Sequence, residues 1–211
     1  MILLASSAAF VGLIHSLAPG HWLPVVLMGK SKKWSLSHAI LGALVTASGH
    51  VFISILLGAI ALLLGAEVFV SQSEELERYA GLGVAAFGVL YAIYSYRTHS
   101  HCHGHTHHGP EVGAREKKGP YAFLFLIGFS PCVAVLPIFI AAAPQGTVAI
   151  LVTMIAFAIG VIAALVSATL SVHFGFMKFD HPVFEHYGDV ITGAGVFLMG
   201  ALLFLVPDLF H

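Results

Sequence analysis

Charge is what this chain lacks most. Only 9% of its 211 residues are Asp, Glu, Lys or Arg, while 58% are hydrophobic and the mean hydropathy is +0.94. Soluble domains carry about 25% charged residues, and a water-facing surface cannot be built from so few. A soluble enzyme and a disordered chain are excluded on that ground. Lys and Arg number 9 against 10 Asp and Glu, so no basic field exists for phosphates and a nucleic-acid binder is excluded as well. Cysteine is nearly absent: Cys102 and Cys132 are too few for a disulfide framework. What remains is an all-α integral membrane protein. Histidine, in contrast, is abundant at 14 residues, more than Lys and Arg together, and metal coordination is the first chemical reason to test for that excess.

A helix crossing the hydrocarbon needs roughly 20 apolar residues. Six runs meet or approach that length: Ile2–Met28, Ser35–Gly65, Tyr79–Tyr96, Tyr121–Ala143, Thr147–His173 and Tyr187–Val206. The runs are continuous and lack the alternation of a lipid-facing barrel. No basic leader precedes the first run, which reads as a retained helix. Lys30, Lys32, Lys33, Arg97, Arg115, Lys117, Lys118 and Lys178 all fall on one side of the resulting topology, and Arg78 alone on the other. The positive-inside rule makes the first group cytoplasmic, with both termini outside a cell or inner membrane.

The chain divides into two three-helix halves, 1–97 and 120–211, joined by a cytoplasmic loop, 98–119, within one transmembrane domain. Pro19 in span one and Pro131 in span four lie 112 positions apart, Tyr79 and Tyr187 lie 108 apart, and Gly49 and Gly160 lie 111 apart. Three matches in order at nearly one offset indicate duplication. Because each half has an odd number of spans, the second half inserts upside down. Inverted repeats with broken helices near the midplane are a recurring transporter architecture.

Proline inside a helix removes a donor and displaces the carbonyl four residues earlier. The breaks are expected at Pro19-Gly20 and Pro24 in span one and at Pro131 and Pro137 in span four, with the freed carbonyls satisfied by protein, water or an ion. His15 and His21 flank the first break, His50 sits at the centre of span two, and Cys132 follows Pro131. No Asp, Glu, Lys or Arg occupies the middle of a span, so these imidazoles are the strongest polar groups in the hydrocarbon. Imidazole and thiolate suit nickel, cobalt, zinc and copper, and suit magnesium or calcium poorly. His15, His21, His50 and Cys132 are therefore the expected metal ligands. His38, at the cytoplasmic start of span two, is either a ligand at the mouth of the path or an interfacial residue. His99, His101, Cys102, His103, His105, His107 and His108 form a tract suited to loose metal binding at the cytoplasmic mouth.

His15-Ser16-Leu17-Ala18-Pro19-Gly20-His21 resembles the H-x-x-x-P-G-H segment of the NicO/RcnA nickel and cobalt exporters. Ser48-Gly49-His50 and Gly128-Phe129-Ser130-Pro131-Cys132 are similar to further segments of that family, and so is a His-rich loop between spans three and four. Ala18 stands where that family carries Glu before Pro-Gly-His, which removes one carboxylate. The resemblance implies a fold akin to LysE-type transporters and His15, His21 and His50 along a metal path.

The leading expectation is thus a secondary transporter, not an enzyme, moving nickel or cobalt out of the cytoplasm, with zinc or copper as other cargoes and a proton as candidate counter-ion. No catalytic residue and no prosthetic group are expected. The second reading is a membrane thiol–disulfide electron carrier of the CcdA/DsbD type, whose chemistry needs two exchanging thiols. Span four supplies Cys132, but span one has Gly20-His21 where the partner thiol should stand. Two further readings are a small-anion or amino-acid exporter on the same scaffold, and a metal chaperone or sensor using mainly the loop.

Overall fold

The computed structural model describes residues 1–64, 73–100, 119–176 and 182–205. Every regular element among them is helical and no strand occurs. Span one is two helices, α1 (Ile2–Ser16) and α2 (Pro19–Ser31), which meet at 52° across Leu17 and Ala18. Pro19 opens α2 at a position whose N–H would be unpaired in any case, so the break falls before the proline. The indole N–H of Trp22 donates to the carbonyl of Leu17 at 2.9 Å and ties the bend.

α2 ends in a left-handed residue, Lys33, at φ 50. The Trp34 N–H donates to the Gly29 carbonyl at 2.8 Å and the Lys33 N–H to the Lys30 carbonyl at 3.3 Å, the double bond of a Schellman ending. Then follow α3 (Leu36–Leu64) and α4 (Ser73–Ser100). The apolar run Tyr121–Ala143 is broken more severely. Its first helix, α5 (Gly119–Ile127), stops at Gly128, and only after a 3₁₀ turn at Val133–Val135 does α6 (Leu136–Ala142) resume. The long α7 (Thr147–Phe176) and α8 (Pro182–Leu205) complete the described chain.

Two helices, Leu36–Leu63 and Thr147–Gly175, are long and apolar enough to cross a membrane, and the bent pair α1–α2 is a third when taken as one span. The distribution of side chains is that of a protein in lipid. Ile2, Leu63, Phe10, Leu90, Val148 and Leu198 are more than 60% exposed, while Thr46, Ser54, Thr153, Thr169 and Thr192 are buried. Thr46, Thr153 and Thr192 satisfy their hydroxyls on carbonyls four residues earlier in their own helices, at 2.7–3.0 Å.

Glycine sets the close contacts. α1 packs on α7 where Gly160 faces the Ala9 backbone and Gly12 faces Phe157. α3 packs on α5 where Gly49 faces the Phe125 carbonyl and Gly128 faces the Thr46 carbonyl. α4 packs along α8 through Gly88, Gly193 and Gly200. Such small-residue seams let backbones approach in the absence of a hydrophobic drive between helices in lipid. One core gathers Phe139, Phe157, Val161, Leu165 and Cys132, and a second gathers Val25, Met28, Phe123, Leu124 and Val196.

Candidate functional site

The two helix breaks and the middle of α3 meet at one point in the interior. His15 lies in the last turn of α1 and His21 in the first turns of α2. On a continuous helix a six-residue separation would set them far apart around the axis. The 52° bend brings their ring centroids to 5.0 Å. His50 stands 5.5 Å from His15 and 4.6 Å from His21, also between centroids. One ligand atom from each of His15, His50 and Cys132 lies within 4.8 Å of the others. His21, His50 and Cys132 are 6%, 0% and 1% exposed.

Backbone groups hold these side chains in place. The carbonyl of Ser130, bare because the chain leaves helical geometry there, takes a 2.6 Å hydrogen bond from Nδ1 of His50. That bond fixes the His50 ring and its tautomer; its Nε2 is buried without a hydrogen-bond partner, as is Nδ1 of His21. Cys132 is extended, at φ −87 and ψ 93, and its N–H donates to Oγ of Ser54 at 3.0 Å. Ser54 is four residues after His50 on the same buried face of α3, so the helix that presents the imidazole also anchors the cysteine. A buried polar atom with no partner costs about 1–3 kcal/mol, a cost that a fold retains where something else repays it.

A cavity of about 40 Å³ opens beside the cluster, bounded by His15, Ala18, Gly20, His21, Ser130 and Met199. It exceeds the roughly 10–15 Å³ that one water needs. Among the described residues, no charged side chain lines it.

The carbonyls do not behave as the proline positions suggested. The His15 carbonyl accepts the Ala18 N–H at 3.1 Å, and the Ile127 carbonyl accepts the Ser130 N–H at 3.4 Å. Pro19 and Pro137 stand in the opening turns of α2 and α6, where they displace nothing; of the four prolines singled out, only Pro24 lies inside a helix. His38 is exposed and shares a 2.7 Å hydrogen bond with Ser35, away from the cluster. The side chain of His99 and all of His101, Cys102, His103, His105, His107 and His108 lie outside the described residues. Sequence reasoning missed Ser54, Met199 and the Ser130 carbonyl. The four-residue spacing of Thr46, His50 and Ser54 was the available signal for the first, and nothing in the sequence pointed to the others.

The chain matches the family described as cytochrome C biogenesis protein transmembrane region over residues 5–197, and it belongs to that family. No curated protein and no solved structure matches it. Membership overturns the expected kinship with NicO/RcnA or other LysE-type exporters and with it the expected export of nickel or cobalt. The matched span contains all three short motifs on which the resemblance stood. Their residues now have local structural reasons. Pro-Gly opens a helix after a bend, Gly49 and Gly128 let two backbones touch, and the Pro-Cys segment is the non-helical joint between α5 and α6.

Proposed function

We propose that the chain is a membrane-embedded thiol–disulfide carrier serving cytochrome c biogenesis, with Cys132 as its intramembrane thiol. The observation that carries this reading is membership of the cytochrome C biogenesis transmembrane family across nearly the whole helical core. The position of Cys132 supports it. A thiol that must exchange needs a backbone free to approach a second sulfur, and Cys132 sits in the extended joint between α5 and α6.

The sequence contains one other cysteine, Cys102, so an intramolecular disulfide is Cys102–Cys132. Both thiols surrender their protons and together reduce one partner disulfide, RS–SR, to two RSH. The Cys132 thiolate attacks one sulfur and expels the first RS⁻; the Cys102 thiolate then attacks Cys132 in the mixed disulfide and expels the second.

The frame for this chemistry is six spans arranged as two inverted triplets, with the loops at 30–35, 97–120 and 177–181 cytoplasmic. Two features support that frame. Span one packs on span five as span four packs on span two, each through a glycine, Gly160 and Gly49, that the repeat pairs. Lys32, after span one, and Asp189, at the start of span six, are joined by a 2.6 Å ion pair, as two residues at one membrane face should be.

The test is alkylation trapping in a host that makes c-type cytochromes. Thiol-specific mass tags should reveal a Cys102–Cys132 disulfide that accumulates when the reductant supply is cut. Cys132→Ser should abolish it and lower haem-stained cytochrome c at least tenfold. Full cytochrome c in the Cys132→Ser strain would overturn the reading.

A further inference from the structure

We propose that His15, His50 and Cys132, with His21 beside them, form a resident binding site for a soft transition-metal ion, copper(I) foremost, and that the bound ion masks the Cys132 thiol. The site itself stands on geometry alone; the masking role rests on the thiol reading above.

Four observations converge. The ligand atoms of His15, His50 and Cys132 lie within 4.8 Å of one another. Bonds of about 2.0–2.3 Å place neighbouring ligands on one tetrahedral ion about 3.4–3.8 Å apart, so a shift of roughly 1 Å closes the set. His50 and His21, whose ring centroids stand 4.6 Å apart, each carry a nitrogen that is buried and without a hydrogen-bond partner. His50 has its tautomer fixed by the Ser130 carbonyl, leaving Nε2 with its lone pair free to bind, as oriented metal ligands require. The cavity alongside is bounded by His15, His21 and the Met199 side chain, which brings a thioether to the same place as the imidazoles. Thiolate and thioether together with imidazole select copper(I) over harder ions. Among the described residues, no carboxylate lines the cavity to favour magnesium, calcium or manganese.

A metal bound to the Cys132 sulfur occupies the lone pair that would attack a disulfide. Loading therefore silences exchange and removal restores it. The ion is a resident of the core and is not carried across the membrane.

The experiment uses the full-length chain in nanodiscs with the loop ligands neutralised: His99→Ser, His101→Ser, Cys102→Ser, His103→Ser, His105→Ser, His107→Ser and His108→Ser. Titration with copper(I) against a colorimetric copper(I) chelator should show one equivalent held per chain. Cys132→Ser or His50→Phe should weaken it at least 100-fold, and Met199→Leu about tenfold. X-ray absorption should show sulfur and nitrogen in the first shell. Maleimide labelling of Cys132 should slow at least tenfold on copper(I) loading, a readout that needs no core substitution. Failure to retain an equivalent, or equal retention in folded, monodisperse Cys132→Ser, would overturn the site. An unchanged labelling rate on a loaded chain would overturn the masking. Disulfide exchange by the metal-free native chain is scored separately. Its loss with copper still held would sink the carrier reading and leave the site, and the converse would sink the site alone.

Discussion

At the scale of single residues, the glycines of the seams are the least replaceable positions. A Cβ on Gly49 would stand 2.4 Å from the Phe125 carbonyl oxygen, and one on Gly128 2.4 Å from that of Thr46. Both obstacles are backbone, so neither can swing aside, and the two helices must part. Gly49→Ala and Gly128→Ala should each lower stability by about 2–4 kcal/mol, comparable to a severe overpacking. Gly83 has nothing within 4 Å of the same added atom. Gly83→Ala should leave stability unchanged or raise it by up to about 1 kcal/mol through helix propensity. Thermal unfolding in detergent, followed by circular dichroism, checks all three. The sequence marked Gly49 only as one member of a repeat pair. Its physical role is a helix crossing, which no local pattern encodes.

The ion pair at the end of span one is the second residue-scale case. Asp189 is 11% exposed and Lys32 39%, and Asp189 also receives a hydrogen bond from Oγ of Ser31. Removing the cation leaves a buried carboxylate held by neutral hydroxyls such as that of Ser31, whereas removing the carboxylate releases an ammonium that water already reaches. Lys32→Ala should therefore cost more than Asp189→Asn, by about 1–2 kcal/mol once solvent screening of Lys32 is allowed for. Equal melting temperatures for the two variants would contradict this ordering. The partner of Asp189 stands 157 residues away in the chain, a pairing that no local sequence pattern announces.

At the scale of elements, the informative features are the joints. Trp22 closes the 52° bend by its indole bond to Leu17, so Trp22→Phe keeps the ring and loses the tie. The expected loss is about 0.5–1.5 kcal/mol, the worth of one hydrogen bond. The ending of α2 makes the opposite prediction. Lys33 holds φ 50, a conformation glycine adopts freely and other residues at a cost. Lys33→Gly should raise the melting temperature, and a fall would mean that the Lys33 side chain does more than sit at a turn. Proline and glycine positions announced both breaks in the sequence. They misplaced the consequence, because a break that falls before Pro19 leaves the His15 carbonyl within reach of the Ala18 N–H.

At the scale of the whole molecule, the proposed six-span frame makes a labelling prediction. Of single cysteines introduced at Glu75 and at Lys117 in a Cys102→Ser, Cys132→Ser background, the first should react with an impermeant maleimide in intact cells and the second only after permeabilisation. Reaction of both from one face would remove the inverted arrangement. Charge scarcity and long apolar runs determined by themselves that this chain lives in a bilayer, because no arrangement of so few charged residues makes a wetted surface. They also located most helix ends to within a few residues, though α4 and α8 begin six and five residues before the expected Tyr79 and Tyr187, since polar residues such as Ser73 and Glu75 extend the helices beyond the apolar runs. The sequence nominated His15, His21, His50 and Cys132 as one set by their chemistry; tertiary structure decided that they do meet, and at what distances. Four short segments up to 117 residues apart had to be folded against each other through two bends and two glycine seams, and sequence separation carries no information about such an encounter. The family was likewise beyond short motifs: Pro-Gly and Pro-Cys joints solve a packing problem that many membrane bundles share, so they report geometry before they report chemistry.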